Sequence, residues 1–105
     1  MRKTFDGFEG DTTLIYDDSE VKTITIKLIG QFGYKREVDI KEDDSYLLKY
    51  VNPFSNEDIE KEVKENKTKY TYNKLKSENF KPTREKLYDV ISVLFENGNI
   101  ETIND

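Results

Sequence analysis

The chain contains no cysteine and no histidine, and two common kinds of chemistry are lost with them. Without cysteine there is no disulfide framework, no thiolate nucleophile and no thiolate metal site. Without histidine the usual general base near neutral pH is missing, and so is the commonest zinc ligand. Tryptophan and alanine are absent as well, and the five glycines never fall as G-x-G-x-x-G or G-x-x-x-x-G-K. A phosphate-cradling loop is therefore not written into the sequence. No apolar run approaches the length of a membrane span. Met1-Arg2-Lys3 is not followed by the apolar stretch of a signal peptide. A cytoplasmic protein with no membrane association is the expectation.

The serines offer little to catalysis. Ser19, Ser45, Ser55, Ser77 and Ser92 stand in turn, cap or helix contexts, and none lies in a G-x-S-x-G elbow. A carboxylate pair could hydrolyse glycosides only within a cleft, and a chain of 105 residues without tryptophan is a poor candidate for one that binds sugar. The reading is of a protein that is not an enzyme and uses no cofactor.

What the chain does have is charge and aromatic rings. Charged residues make up 37% and hydrophobic ones 34%, yet 12% of the chain is Tyr or Phe and its apolar residues fall into periodic blocks, which argues against disorder. The length suits a single domain over residues 1–105, strand-rich over 1–52 and helix-containing over 53–105. The formal charge of −5 disfavours non-specific attachment to nucleic acid or anionic lipid and permits docking on a basic partner surface.

Strand signatures fill the first half. Leu14, Ile15 and Tyr16 end an apolar run before the turn Asp17-Asp18-Ser19-Glu20. From Val21 to Ile29 the side chains alternate, with Ile24, Ile26 and Leu28 on one face. Gly30-Gln31-Phe32-Gly33 turns the chain. Tyr34, Val38 and Ile40 continue the apolar face, while Lys35, Glu37 and Asp39 face water. Glu42-Asp43-Asp44 makes the next turn, a strand follows over Tyr46 to Val51, and Asn52-Pro53 ends the block. Thr4-Phe5 is a candidate edge strand.

The period then changes. Ser55 as N-cap with Asp58 at the reciprocal position, Phe54 stapled to Ile59, and the pairs Glu57–Lys61 and Glu60–Lys64 predict a short helix from Asn56 to Asn66. Residues 67–81 fit either an extended segment or a broken helix. From Thr83 to Asn97 the stripe Leu87, Val90, Ile91, Leu94, Phe95 predicts an amphipathic helix stopped by Gly98. Ile100 and Ile103 then pack back or add a strand. The expected fold is α+β: an antiparallel β-meander of about four strands packed against a C-terminal amphipathic helix, with a second short helix.

Three candidate surfaces follow. Alternate turns of a meander share an end, so Asp17, Asp18 and Glu20 meet Glu42, Asp43 and Asp44, roughly 10 Å apart across two strand spacings. Such a cluster imitates phosphates and suits a Lys/Arg-lined groove; the plainer reading is that acidic turns keep hairpins soluble. Phe32, at the tip of the opposite turn, is either a contact residue or folds under the sheet. The third surface is the basic aromatic segment 67–86, where Lys69, Tyr70, Tyr72, Lys74 and Lys76 offer cations and rings to single-stranded nucleic acid. The carboxylates of Asp6, Glu9 and Asp11 do not match calcium-loop spacing and read as a solvated turn, so no metal site is expected.

In composition alone, this acidic, Lys-, Asn- and Ile-rich chain resembles small proteins of phages and mobile elements in low-GC bacteria. That resemblance implies an inhibitor of a host nuclease or defence protein, some such proteins being nucleic-acid mimics, and it transfers no residues. The leading expectation is a non-catalytic protein-binding domain whose partner is a nuclease or other nucleic-acid-binding protein with a basic surface. A nucleic-acid-binding module and a phage structural or assembly protein are the alternatives.

Overall fold

The computed structural model describes residues 1–8 and 11–101. An antiparallel sheet runs in strict chain order through β1 (Arg2–Phe8), β2 (Thr12–Asp17), β3 (Thr23–Ile29), β4 (Lys35–Lys41), β5 (Tyr46–Asn52) and β6 (Glu57–Val63). Two helices follow, α1 (Tyr72–Lys76) and α2 (Arg84–Asn97). The α+β meander is therefore larger than the four strands expected. The additional strands are the edges, Arg2–Phe8 and Glu57–Val63.

The second edge overturns the helix predicted over 56–66. Ile59 and Val63 stand four apart, which puts them on one face of a helix and equally on one face of a strand. The hairpin from β5 settles the choice. Asn56 adopts a left-handed φ of 57°, a conformation asparagine tolerates, and Ser55 donates to Glu57 at 2.7 Å instead of capping a helix. Ile59 then pairs with Tyr50 and Val63 with Tyr46, while Asp58, Glu60 and Glu62 take the opposite face.

One face of the sheet holds the core. Leu14, Tyr16, Ile24, Ile26, Val38, Ile40, Tyr46, Leu48 and Tyr50 are buried there against Leu87, Val90, Ile91, Leu94 and Phe95 of α2. With no tryptophan available, tyrosines supply the bulk, and their hydroxyls need partners inside. Tyr16 donates to the Leu75 carbonyl at 3.2 Å and Tyr46 to the Leu94 carbonyl at 2.9 Å. Arg36 lies on the same face with its guanidinium over the Tyr88 ring, 5.3 Å from the centroid.

The helix α2 starts and stops as its sequence predicts. Thr83 caps the Lys86 N–H at 3.1 Å. Gly98 ends it close against the sheet, where a Cβ would lie 2.5 Å from Leu48 Cδ1 and push that side chain aside. Ile100 packs back into the core, while Ile103 lies outside the described residues. The ambiguous stretch 67–81 is a loop, the short helix α1 and a second loop, with Thr71 accepting from the Lys74 N–H at 3.2 Å as N-cap. Among the described residues no helix is long and apolar enough to cross a membrane.

Candidate functional site

The ladder register puts the β2–β3 and β4–β5 turns at one end of the sheet, because Asp17 pairs with Thr25 and Lys41 with Thr23. This turn end contains all six carboxylates singled out in the sequence, and most of them have work inside the molecule. Asp18 accepts from the N-terminal ammonium at 2.6 Å and from the Tyr16 hydroxyl at 3.3 Å, with the Lys76 ammonium at 4.0 Å. The bond from the N-terminus holds its carboxyl below the ordinary range. Asp44 accepts from the Tyr72 N–H at 2.8 Å, tethering the entry to α1, and its carbonyl accepts from Asn66 at 3.2 Å.

Asp17 and Asp43 play the same part in successive turns. Asp17 accepts from the Ser19 N–H at 2.9 Å and hydroxyl at 2.6 Å, and Asp43 from the Ser45 N–H at 3.0 Å and hydroxyl at 2.6 Å. These hydroxyl bonds, with the backbone bonds second, lower both carboxyl pKa values. Glu20 and Glu42 are exposed at this end, alongside exposed Lys22, Lys41 and Lys76. Cations are thus interleaved through the patch.

The basic aromatic segment is divided between core and surface. Tyr70 and Tyr72 are 2% and 9% exposed, so neither ring presents a face on which a base could stack. This corrects the expectation of stacking tyrosines: Tyr70 in the loop and Tyr72 at the start of α1 are both turned into the core. The Tyr70 hydroxyl donates to Asp89, and burial, then Asp89, raises its pKa. Lys69 lies 3.8 Å from the Asp89 carboxylate and over the Tyr70 ring, while Lys74 and Lys76 are on the surface of α1.

At the opposite end of the sheet two aromatic rings face solvent. Phe32, on the β3–β4 turn, is 80% exposed, and Phe54, on the β5–β6 turn, is 69% exposed. Their centroids are 5.9 Å apart with the planes at 88°, an edge-to-face pair. Both are held by ordered turns. Phe32 has the left-handed φ of 58° and is followed by Gly33 at 91°, while Tyr34 N–H closes the turn on the Gln31 carbonyl at 3.0 Å. Buried Asn52 accepts from the Phe54 N–H at 2.9 Å and donates to the Tyr50 hydroxyl at 3.0 Å, tying the second turn to the core.

Carboxylates flank this aromatic end. Asp11 accepts from Gln31 at 3.2 Å, and Asp6 from Thr13 at 3.1 Å, beside the first turn. Glu57 and Asp58 follow the second. None of these four forms an ion pair among the described residues. Residues 9 and 10, between β1 and β2, are not among the described residues, so the Asp6–Asp11 stretch considered for calcium lies partly outside them.

Sequence reasoning singled out Phe32 and missed Phe54, which it assigned to a helix staple. The signal was available: the argument that alternate turns share an end, applied to Gly30–Gly33 and to the turn after Asn52, brings the two rings together once 57–63 is read as a strand. A comparison with protein-family models, with curated proteins and with solved structures returns no match.

Proposed function

We propose that the chain is a non-catalytic protein-binding domain that docks through its Phe32–Phe54 end onto a partner offering an apolar recess rimmed by Lys and Arg. The observation that carries this reading is the exposed edge-to-face pair itself. Large rings anchor interfaces when a pocket desolvates them, and a single water-exposed pair on rigid turns is pre-organised for that step. The carboxylates of Asp6, Asp11, Glu57 and Asp58, in no ion pair among the described residues, supply the charge complementarity.

In its specific form the domain is an inhibitor that occupies the basic nucleic-acid-binding surface of a nuclease or defence protein. The contact set differs from Asp17, Asp18, Glu20, Glu42, Asp43 and Asp44, because four of those six serve internal bonds. The test is capture of a partner from a cell extract, followed by affinity measurement on the purified pair. Phe32→Ala/Phe54→Ala should lose the partner while remaining folded, and binding should weaken with salt. A partner held equally by that variant overturns the reading. Tight binding of single- or double-stranded oligonucleotides, abolished by changing Lys69, Lys74 and Lys76 to Glu, would put a nucleic-acid-binding module in its place.

A further inference from the structure

On the face of the sheet away from the helices, the charges at the centre satisfy one another. Glu37, its side chain 7% exposed, has the ammoniums of Lys27, Lys35 and Lys49 at 3.9, 3.6 and 3.6 Å, so the reading that placed it in water gives way to a buried hub. The sheet is open at its two edges. β1 and β6 each pair on one side only, and among the described residues no backbone hydrogen bond reaches the other side of either strand. Bare N–H and C=O groups along an edge are a template for another strand.

The ladder fixes which groups of β1 point outward. The Asp18 N–H donates to the Met1 carbonyl at 3.0 Å, which makes Met1 and Asp18 a hydrogen-bonded pair. Such pairs alternate along an antiparallel ladder, so Lys3–Tyr16 and Phe5–Leu14 are the next two, and the N–H and C=O of Arg2 and Thr4 face away from β2. The side chains are sorted as well. Arg2 and Thr4 lie on the outer face, opposite Asp17 and Ile15, while Lys3 and Phe5 lie on the core face, opposite Tyr16 and Leu14. Asp6 accepts from Thr13, the outer-face neighbour of Leu14, at 3.1 Å, which keeps its carboxylate on the outer face too. Beyond it the register shifts and Gly7 takes a φ of 76°, so regular pairing ends there.

We infer that two copies of the chain join edge to edge through β1, antiparallel about a two-fold axis at Thr4, into one continuous sheet. Thr4 exchanges its outward backbone bonds with Thr4 of the second copy. Arg2 then falls opposite Asp6 of the second copy on the outer face, and the symmetry makes this pair twice. On the core face the stem of Lys3 falls opposite the half-buried ring of Phe5, at the margin of the core, and covers it. β6 does not pair with itself in this way. An axis at its centre, Glu60, sets Asp58 opposite Glu62 on the outer face and Glu60 opposite its own copy. A contact from β1 to β6 would repeat without closing. The β1 interface is one strand wide, so the dimer is weak and forms at high chain concentration. It shares only Asp6 with the proposed partner surface, so either can fail alone.

The test is sedimentation equilibrium of the full chain from about 10 μM to about 1 mM, a range that spans weak association. A monomer–dimer equilibrium is expected. Thr4→Pro removes an outward N–H and leaves the bonds of Lys3 and Phe5 to β2, so it should abolish the dimer with little change in the urea midpoint. Arg2→Asp sets a like charge against Asp6 and should weaken association at least about tenfold, and Arg2→Asp with Asp6→Arg should restore it. Phe32→Ala/Phe54→Ala should dimerise as the wild type does. A chain that stays monomeric throughout, species that grow past the dimer, or a dimer kept by Thr4→Pro overturns the proposal. So does a folded double charge swap that fails to restore the dimer, or loss of the dimer in the phenylalanine variant. If the double swap does not fold, Thr4→Pro decides.

Discussion

The two ends of the sheet use the same turn chemistry in opposite directions. At one, the carboxylates of Asp17, Asp18, Asp43 and Asp44 point back into the molecule, closing turns, holding the N-terminal ammonium and capping the approach to α1. At the other, Asn52 does the internal work and leaves Phe32 and Phe54 outside, with carboxylates around them that form no ion pair among the described residues. Local acidity therefore does not mark the surface free to bind. An acidic turn that satisfies its own backbone is structural, while an aromatic turn that leaves its rings in water has a face to offer.

The largest effect expected is on binding. Phe32→Ala with Phe54→Ala should lower partner affinity by at least about 100-fold, each ring being worth about 2 kcal/mol as an interface anchor. The midpoint of urea unfolding should barely move, since both rings are exposed in the folded chain. A large stability loss with affinity intact would reverse the assignment of the two ends.

The mirror experiment is next in size. Asp44→Ala leaves the Tyr72 N–H without its acceptor and puts alanine at a φ of 72°, which should cost about 1–2 kcal/mol of stability. Asp18→Ala should add up to about 1 kcal/mol by releasing a half-exposed N-terminus and Lys76. Chemical denaturation reads both losses, and partner affinity at a temperature where the variants are folded should be unchanged.

How much of this contrast was legible depends on where packing, rather than pattern, decides. The stripe Leu87 to Phe95 and its Thr83 cap define α2 with no help from the rest of the chain, and the alternation of Ile24, Ile26 and Leu28 does the same for β3. Residues 57–63 carried signals for both states: Glu–Lys pairs at helical spacing, and an alternation that only pairing with β5 could reward. Tyr70 and Tyr72 are both buried, but no local feature of a stretch that fits either an extended segment or a broken helix says that their side is the core. The buried Glu37 was illegible for a related reason, since its burial comes from lysines on β3, β4 and β5.

Acid titration separates the turn end from the middle of the sheet. Burial, then the neighbouring Glu37, raises the Asp39 pKa to about 6. The folded state thus binds this proton more tightly than the unfolded chain, and the contribution of Asp39 to stability falls as pH rises from about 4 to about 6. Asp17, Asp18 and Asp43 have lowered folded values, so their contribution is present above the unfolded pKa of 3.8 and is lost as pH falls through the folded ones. The sum of these contributions should be greatest at about pH 4, where the two trends cross. Asp39→Asn should gain on the order of 1–2 kcal/mol at pH 7, and that gain should vanish by about pH 4. Denaturation midpoints of the two proteins across this range provide the check, and parallel profiles would refute it.

The smallest effect isolates the backbone of the aromatic end. Phe32 sits at φ 58°, ψ 25°, a region that asparagine occupies with little penalty and alanine does not. Phe32→Asn and Phe32→Ala both remove the ring and its edge contact with Phe54, so their difference reports the left-handed conformation alone. The Asn variant should be more stable than the Ala variant by about 0.5–1 kcal/mol. Both should bind the partner equally poorly, because the contact belongs to the ring and not to the turn. If the Asn variant instead recovered wild-type affinity, turn geometry would be the recognised feature, and the exposed ring would have no part in docking.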